Sequence, residues 1–122
     1  MHNVSTREKG QQGEDLAASY LVRKGFRILE RNWTAGKLEV DLIASSQRII
    51  VFVEVKFRNS NQYGAPWESV NSAKRRSVVR AADVYIQRNA VELEPRFDII
   101  SITRGNPDPE IEHLEGAFFP YA

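Results

Sequence analysis

Ile49-Ile50-Val51-Phe52-Val53-Glu54-Val55-Lys56-Phe57 is nearly unbroken β-branched and aromatic sequence until a carboxylate and an ammonium enter its second half. A run apolar at successive positions suits a central strand covered on both faces. Alternate side chains share a face of a strand, so Glu54 and Lys56 point one way and Val53, Val55 and Phe57 the other. Desolvating two charges at the end of an apolar strand is costly. Either they form a salt bridge at the edge of the sheet, or they serve as a metal ligand and a lysine that orients or deprotonates a water.

The flanking sequence supplies the rest of the sheet. Ser45-Ser46-Gln47 is a short polar turn, and residues 38–44 before it form a strand, making an antiparallel hairpin with 49–57. Residues 26–33, with Phe26, Ile28 and Leu29, are a further strand. Ser5-x-x-Glu8 is a capping box opening a helix that runs to about Lys24 and stops at Gly25. Residues 58–69 hold Asn, Ser, Gly and Pro and form a loop, in which Tyr63 and Trp67 either stack on a base or anchor the loop to the core. Asn71 or Ser72 caps a second helix reaching about Arg88, with Val70, Ala73, Ser77, Ala81, Val84 and Tyr85 at helical spacing. Residues 96–103 are a strand, and 111–119 a weaker last one. The order α-β-β-β-α-β, with that weak strand at its end, gives an α/β fold with one mixed sheet flanked by helices.

Composition narrows the chemistry. At 122 residues the chain is a single domain, residues 1–122. It has no cysteine, which excludes a thiol nucleophile and a cysteine-held zinc, and its two histidines, His2 and His113, are poorly placed for catalysis. No apolar run approaches the ~20 residues that span a bilayer, and the first ten residues lack a signal-peptide core, so the expected location is the cytoplasm. The formal net charge is +1, but residues 1–90 hold 15 basic and 9 acidic side chains, or +6, while residues 91–122 hold 2 and 7, or −5. A polyanion partner should meet the first three quarters of the chain.

The preceding strand bears on Glu54. With the turn near Ser46, Asp41 falls opposite Glu54 or within a residue or two of it, and a regular strand places Glu39 and Asp41 on one face with Val40 and Leu42 on the other. Two carboxylates on adjacent strands beside a lysine make an oxygen-ligand site that suits Mg2+; the alternative is a charge cluster satisfied by Lys56 and nearby arginines. On the first helix Glu14 lies four residues before Ala18 and seven before Leu21, on the face turned to the sheet, while Asp15 falls toward solvent. On the second, Lys74, Arg75, Arg76 and Arg80, together with Arg58, could neutralise backbone phosphates without reading bases; equally, they are a solvated helix surface. Asp98 pairs with Arg96 or with a backbone group. Trp33 and Phe97 read as core, and Phe118, Phe119 and Tyr121 either close the core or bury against a second subunit.

Gly13-Glu14-x-x-Ala17, Arg31-Asn32-Trp33, Glu39-Val40-Asp41-Leu42-Ile43, Phe52-Val53-Glu54-Val55-Lys56-x-Arg58, Lys74-Arg75 and Arg96-Phe97-Asp98 follow one another over about residues 7–103. In that order they resemble the YraN-like family of bacterial proteins, whose fold is restriction-endonuclease-like. That family usually has glycine before the Glu-x-Asp segment, where this chain has Leu38. The wider resemblance is to PD-(D/E)xK nucleases and, through the helix glutamate, to archaeal Holliday-junction resolvases, although Val40 stands where the motif's proline would be. The resemblance implies a three-layer core and Mg2+-dependent hydrolysis of a DNA phosphodiester, with Mn2+ as a substitute ion. It implies that Asp41, Glu54 and the Val55 carbonyl hold the metal and that Glu14 reaches it directly or through water. Lys56 would orient the attacking water and stabilise charge on the phosphorane. Glu14, Asp41, Glu54 and Lys56 are then the catalytic set and DNA, branched or otherwise structured, the partner. A two-fold homodimer would fit a junction resolvase. The competing expectation is a non-catalytic nucleic-acid-binding module on the same fold.

Overall fold

The computed structural model describes residues 6–58, 70–105 and 107–119, residues 6–10 as backbone only. Helix α1 spans Thr6–Arg23, strands β1 Arg27–Ala35, β2 Leu38–Ser46 and β3 Ile49–Arg58, helix α2 Ser72–Arg88, and strands β4 Glu94–Thr103 and β5 Glu110–Phe118. The five strands form one mixed sheet in the order β1-β2-β3-β4-β5. All pairs are antiparallel except β3 with β4, which are parallel because α2 provides the crossover between them. The expected α/β architecture holds, with 111–119 a full strand at the edge. The 58–69 loop with Tyr63 and Trp67, the Ser5 cap, His2 and Tyr121 lie outside the described residues or, for Arg58, at their border. No described helix is long and apolar enough to cross a membrane.

The central run of β3 explains the layering. Ile50 and Phe52 pack with Val40, Ile43, Phe97, Ile99 and α2, whereas Val51 and Val53 pack with Leu42, Ala44, Ile100, Ile102 and α1. Both sheet faces are thus buried, as a continuous apolar strand requires. Gly13 lets α1 come close: a Cβ there would stand 3.3 Å from the Phe57 ring. Asn71 caps α2, its side chain accepting from the Lys74 N–H at 2.9 Å. The buried stripe of α2 is Val78, Ala81, Ala82 and Tyr85. Ala73 of the expected set is exposed, while Ser77 and Val84 are half-buried. The stripe is rotated because Tyr85 must reach Phe52 and Trp33, against which it packs edge-on.

The regular alternation expected of β2 does not occur. Val40 lies in the α2-side cluster and Leu42 in the α1-side cluster. Their partners on β1 switch in the same way: Trp33, paired with Val40, packs against the α2-side cluster, and Arg31, paired with Leu42, reaches Asp15 of α1. Between them Asn32 has φ 50, in the left-handed region that asparagine tolerates better than most residues. The two strands therefore exchange faces at the Asn32/Asp41 position. Asp15 is exposed as expected, and it holds Arg31.

At the far edge, Asp98 ties β5 to the sheet. Between the pairs Phe97↔Phe118 and Ile99↔Leu114, residues 115–117 bulge opposite Asp98 alone. Its fully buried carboxylate accepts from Arg96 Nε and Nη2 (2.9 and 2.8 Å), from the Gly116 N–H (3.0 Å) and from His113 Nε2 (2.7 Å). His113 Nδ1 then accepts from the Tyr20 hydroxyl of α1 at 3.2 Å. Burial alone would raise the Asp98 pKa, but the bonds from His113, Arg96 and Gly116 outweigh it and hold the carboxyl below its ordinary 3.8. A folded value below the unfolded one gives stability that is complete above the ordinary aspartate range and lost as pH falls through the folded value. Asp98→Ala should destabilise the chain by about 3–5 kcal/mol, because it strands Arg96 and His113. Urea unfolding at neutral pH measures this, and a loss below about 1 kcal/mol would show that the network is dispensable.

Candidate active site

The last hydrogen-bonded partners of β2 and β3 are Leu42 and Val53, so Asp41 and Glu54 are the next positions along each strand. The proximity expected from the hairpin turn is present. Here the strands stop pairing, and the Asp41 side chain takes over: its Oδ2 accepts the Val55 N–H at 2.8 Å. The carboxylate serves where a β2 carbonyl would have continued the ladder. The Val55 amide is thereby satisfied by a side chain.

Glu54 follows Ile50 and Phe52 onto the α2 side and is only 2% exposed. Its Oε2 lies 3.5 Å from Lys74 Nζ in the first turn of α2, while its Oε1 is buried with no partner among the described residues. Desolvation, with the Asp41 charge adding to it, pushes the Glu54 carboxyl up to about 8 despite the opposing Lys74 and Lys56 ammoniums. Lys56 shares the Glu54 face of β3, as the alternation predicts, and it is half-buried.

Glu14 reaches the site from the other side. Its Oε2 accepts from Asn32 Nδ2 at 2.8 Å, which anchors it at the point where the strands exchange faces. Partial burial raises its pKa against the Asn32 bond, and the Asp41 charge adds to the rise. The Asp41 charge acts on both Glu14 and Glu54. No three acids or histidines among the described residues converge closely enough to form a ready metal cluster. The structure brings Asp41 and Glu54 together and keeps Glu14 at the rim.

Of the expected phosphate contacts, Lys74 is drawn to Glu54, and Arg75 Nε donates to the Val70 carbonyl at 2.9 Å with its guanidinium over the Phe118 ring. Arg76 and Arg80 are exposed on α2. Arg58 closes β3, its carbonyl accepting from the Arg104 N–H at 2.9 Å.

Ser101 was not singled out from the sequence. It pairs with Lys56 across the parallel β3–β4 ladder and so shares the Glu54 face. It is 1% exposed, and its Oγ is the second buried side-chain atom without a partner. The available signal was one hydroxyl in the otherwise apolar Ile99-Ile100-Ser101-Ile102. Both orphaned polar atoms of the described residues thus belong to one face of two neighbouring strands.

The family model for "Uncharacterised protein family UPF0102" matches residues 13–102. A protein of that family from Flavobacterium psychrophilum is 44% identical over 112 residues, covering 92% of this chain and 94% of that relative. One from Syntrophotalea carbinolica is 44% identical over 110 residues and covers 89% of each, and one from Geobacter metallireducens is 42% identical over 119 residues, covering 97% and 95%. Among solved structures, SfsA of Pyrococcus furiosus in complex with Ca2+ is similar at a TM-score of 0.39 and 14% identity, over 92% of this chain and 64% of that one.

The raised Glu54 pKa has a thermodynamic consequence. The folded value lies above the unfolded 4.5, so the native chain holds the extra proton. Stability from this group is complete below about 4.5 and is lost as pH rises through about 8, by at most about 1.4 kcal/mol per unit. Glu54→Gln should flatten that slope. Urea unfolding in EDTA from about pH 5 to about pH 8 tests it: parallel losses in the parent and Glu54→Gln would rule out a protonated Glu54.

Proposed function

The chain belongs to the UPF0102 family, and we propose that it is a metal-dependent nuclease that hydrolyses DNA phosphodiesters, with Asp41, Glu54 and Lys56 as a PD-(D/E)xK-type constellation. The observation that carries this reading is the buried Glu54 carboxylate, left with an unpartnered Oε1 beside Asp41 at the end of the β2–β3 ladder. Natural folds seldom leave such an atom unsatisfied, and one at a candidate site needs an explanation. The donor set fits a hard divalent cation: two carboxylates and the Val55 carbonyl, all oxygen, suit Mg2+ or Mn2+. When bound, that ion supplies Lewis acidity at a phosphate oxygen and an acidified water.

The chain's own groups do the rest. Asp41 is held by the Val55 amide, so its Oδ1 faces away from that bond and its orientation is set before any ligand arrives. Glu54 sits in a site walled off from solvent, where charge interactions are strong. Lys56 positions a water for in-line attack and balances charge that develops on the phosphoryl group. Glu14, anchored by Asn32, orders water at the rim. Arg76 and Arg80, one helical turn apart, hold the DNA backbone. The competing reading, a non-catalytic nucleic-acid-binding module, draws on one specific observation: each of the three acids already has a protein partner.

Incubation with plasmid, flap and four-way-junction DNA in Mg2+ or Mn2+ separates the two. Cleavage should fall to background in Asp41→Ala and Glu54→Ala. In Lys56→Ala it should fall by about 100–1000-fold in kcat with KM little changed. DNA binding without cleavage of any of these substrates, or equal cleavage by Asp41→Ala, would favour the binding module.

A further inference from the structure

Lys74 pairs with the buried Glu54, and its surroundings point to a role beyond a salt bridge. The contact is poor: 3.5 Å to one oxygen, with the other orphaned. A good ammonium–carboxylate bond is about 2.7–2.9 Å. A buried ion pair offsets its desolvation only when the geometry is good and the remaining lone pairs are satisfied. Neither condition is met here. The second orphaned atom, Ser101 Oγ, lies on the same face of the next strand, so two buried polar atoms of one face have no partner among the described residues.

The stem of Lys74 is fixed while its head is loosely held. Its N–H is capped by Asn71, which pins the residue in the first turn of α2, whereas its side chain is 36% exposed and reaches Glu54 from solvent. That first turn holds Lys74, Arg75 and Arg76 and no acid. Three cations at the positive end of a helix are disfavoured by the helix dipole. Of these cations, Lys74 pairs with Glu54 and Arg76 is exposed on the helix surface.

We propose that Lys74 is a displaceable partner of the Glu54 carboxyl. It holds Glu54 while no metal is bound, and it is turned out to a DNA backbone phosphate when a divalent cation takes the carboxylate. Metal occupancy and one phosphate contact are then coupled through a single side chain. The coupling is reciprocal: DNA that captures Lys74 raises the affinity of the Glu54 site for the cation. The inference rests on the nuclease reading, since it requires that Glu54 take a metal.

The test measures binding, with cleavage suppressed by a Lys56→Ala background that keeps both carboxylates. Calorimetry with Mg2+ or Mn2+ alone first establishes the metal site. The salt dependence of affinity for a short DNA duplex is then measured in EDTA and at saturating Mg2+, with and without Lys74→Met. With Mg2+, Lys74→Met should reduce the log–log salt slope by about 0.9, the loss of one phosphate contact. In EDTA it should leave the slope unchanged, because Lys74 is engaged by Glu54. Lys74→Arg should retain the parent slope in Mg2+. Limited amine acylation read by peptide mass spectrometry should show Lys74 several-fold more reactive with Mg2+ than without, with Lys37 unchanged. An equal slope loss in EDTA and in Mg2+, or Lys74 reactivity indifferent to a metal that calorimetry shows bound, overturns this inference alone. Absence of metal binding overturns both this inference and the nuclease reading.

Discussion

The hydrogen bond from the Val55 amide to the Asp41 carboxylate governs the architecture around the site. A strand in the middle of a sheet must find an acceptor for every buried amide. Beyond Val53, β3 loses β2 as a backbone partner, and a side chain takes its place. The strands can separate only because Asp41 supplies that acceptor. Their separation opens the end of the sheet on which Glu54 and Lys56 sit. The exchange of faces at Asn32/Asp41 belongs to the same event, because it lets β2 leave β3 while remaining paired with β1.

Two buried acids show how differently one fold can treat a carboxylate. Asp98 receives four hydrogen bonds, and its carboxyl is held below the ordinary range. Glu54, nearly as buried and one strand away, has one distant ammonium and an orphaned oxygen, and its carboxyl is pushed up to about 8. Burial is common to both, so satisfaction decides the sign. The Asp98 network closes the bulge of β5 and joins that strand to α1 through His113 and Tyr20. It is complete, and it explains itself as structure. Glu54 is incomplete, and structure alone gives no reason to retain a carboxylate there when a leucine would fill the space without the desolvation penalty.

The apolar run of β3, the hairpin turn before it and the Asn71 cap were legible in the sequence, because each rests on local chemistry: periodicity, turn composition and side-chain capping. The same locality placed Asp41 beside Glu54. The β2 face assignment failed because it assumed unbroken alternation, and only the pairing with β1 reveals the exchange at Asn32. The α2 stripe was misread for a related reason. Its rotation is set by Tyr85 meeting Trp33 and Phe52, contacts between distant parts of the chain. His113, poorly placed for catalysis, bonds Asp98 from across the sheet edge, a structural relation of residues fifteen apart that no spacing rule encodes. Ser101 became visible only once the parallel β3–β4 register was known.

The charge segregation read from the chain acquires a physical meaning in three dimensions. The acids of the last segment include Glu110, Glu112 and Glu115 on β5, at one edge of the sheet, whereas the cations of residues 54–90 sit on the end of β3 and on α2. β5 and the β2–β3 separation are held apart by β4. At physiological salt, fields from exposed charges decay over about 8 Å. Exposed cations on α2 and exposed acids on β5 that stand farther apart than this act largely independently. An overall charge of +1 therefore conceals an uneven distribution along the chain. The Asp41 and Glu54 carboxylates supply the opposite sign at the point where a divalent cation would have to be held.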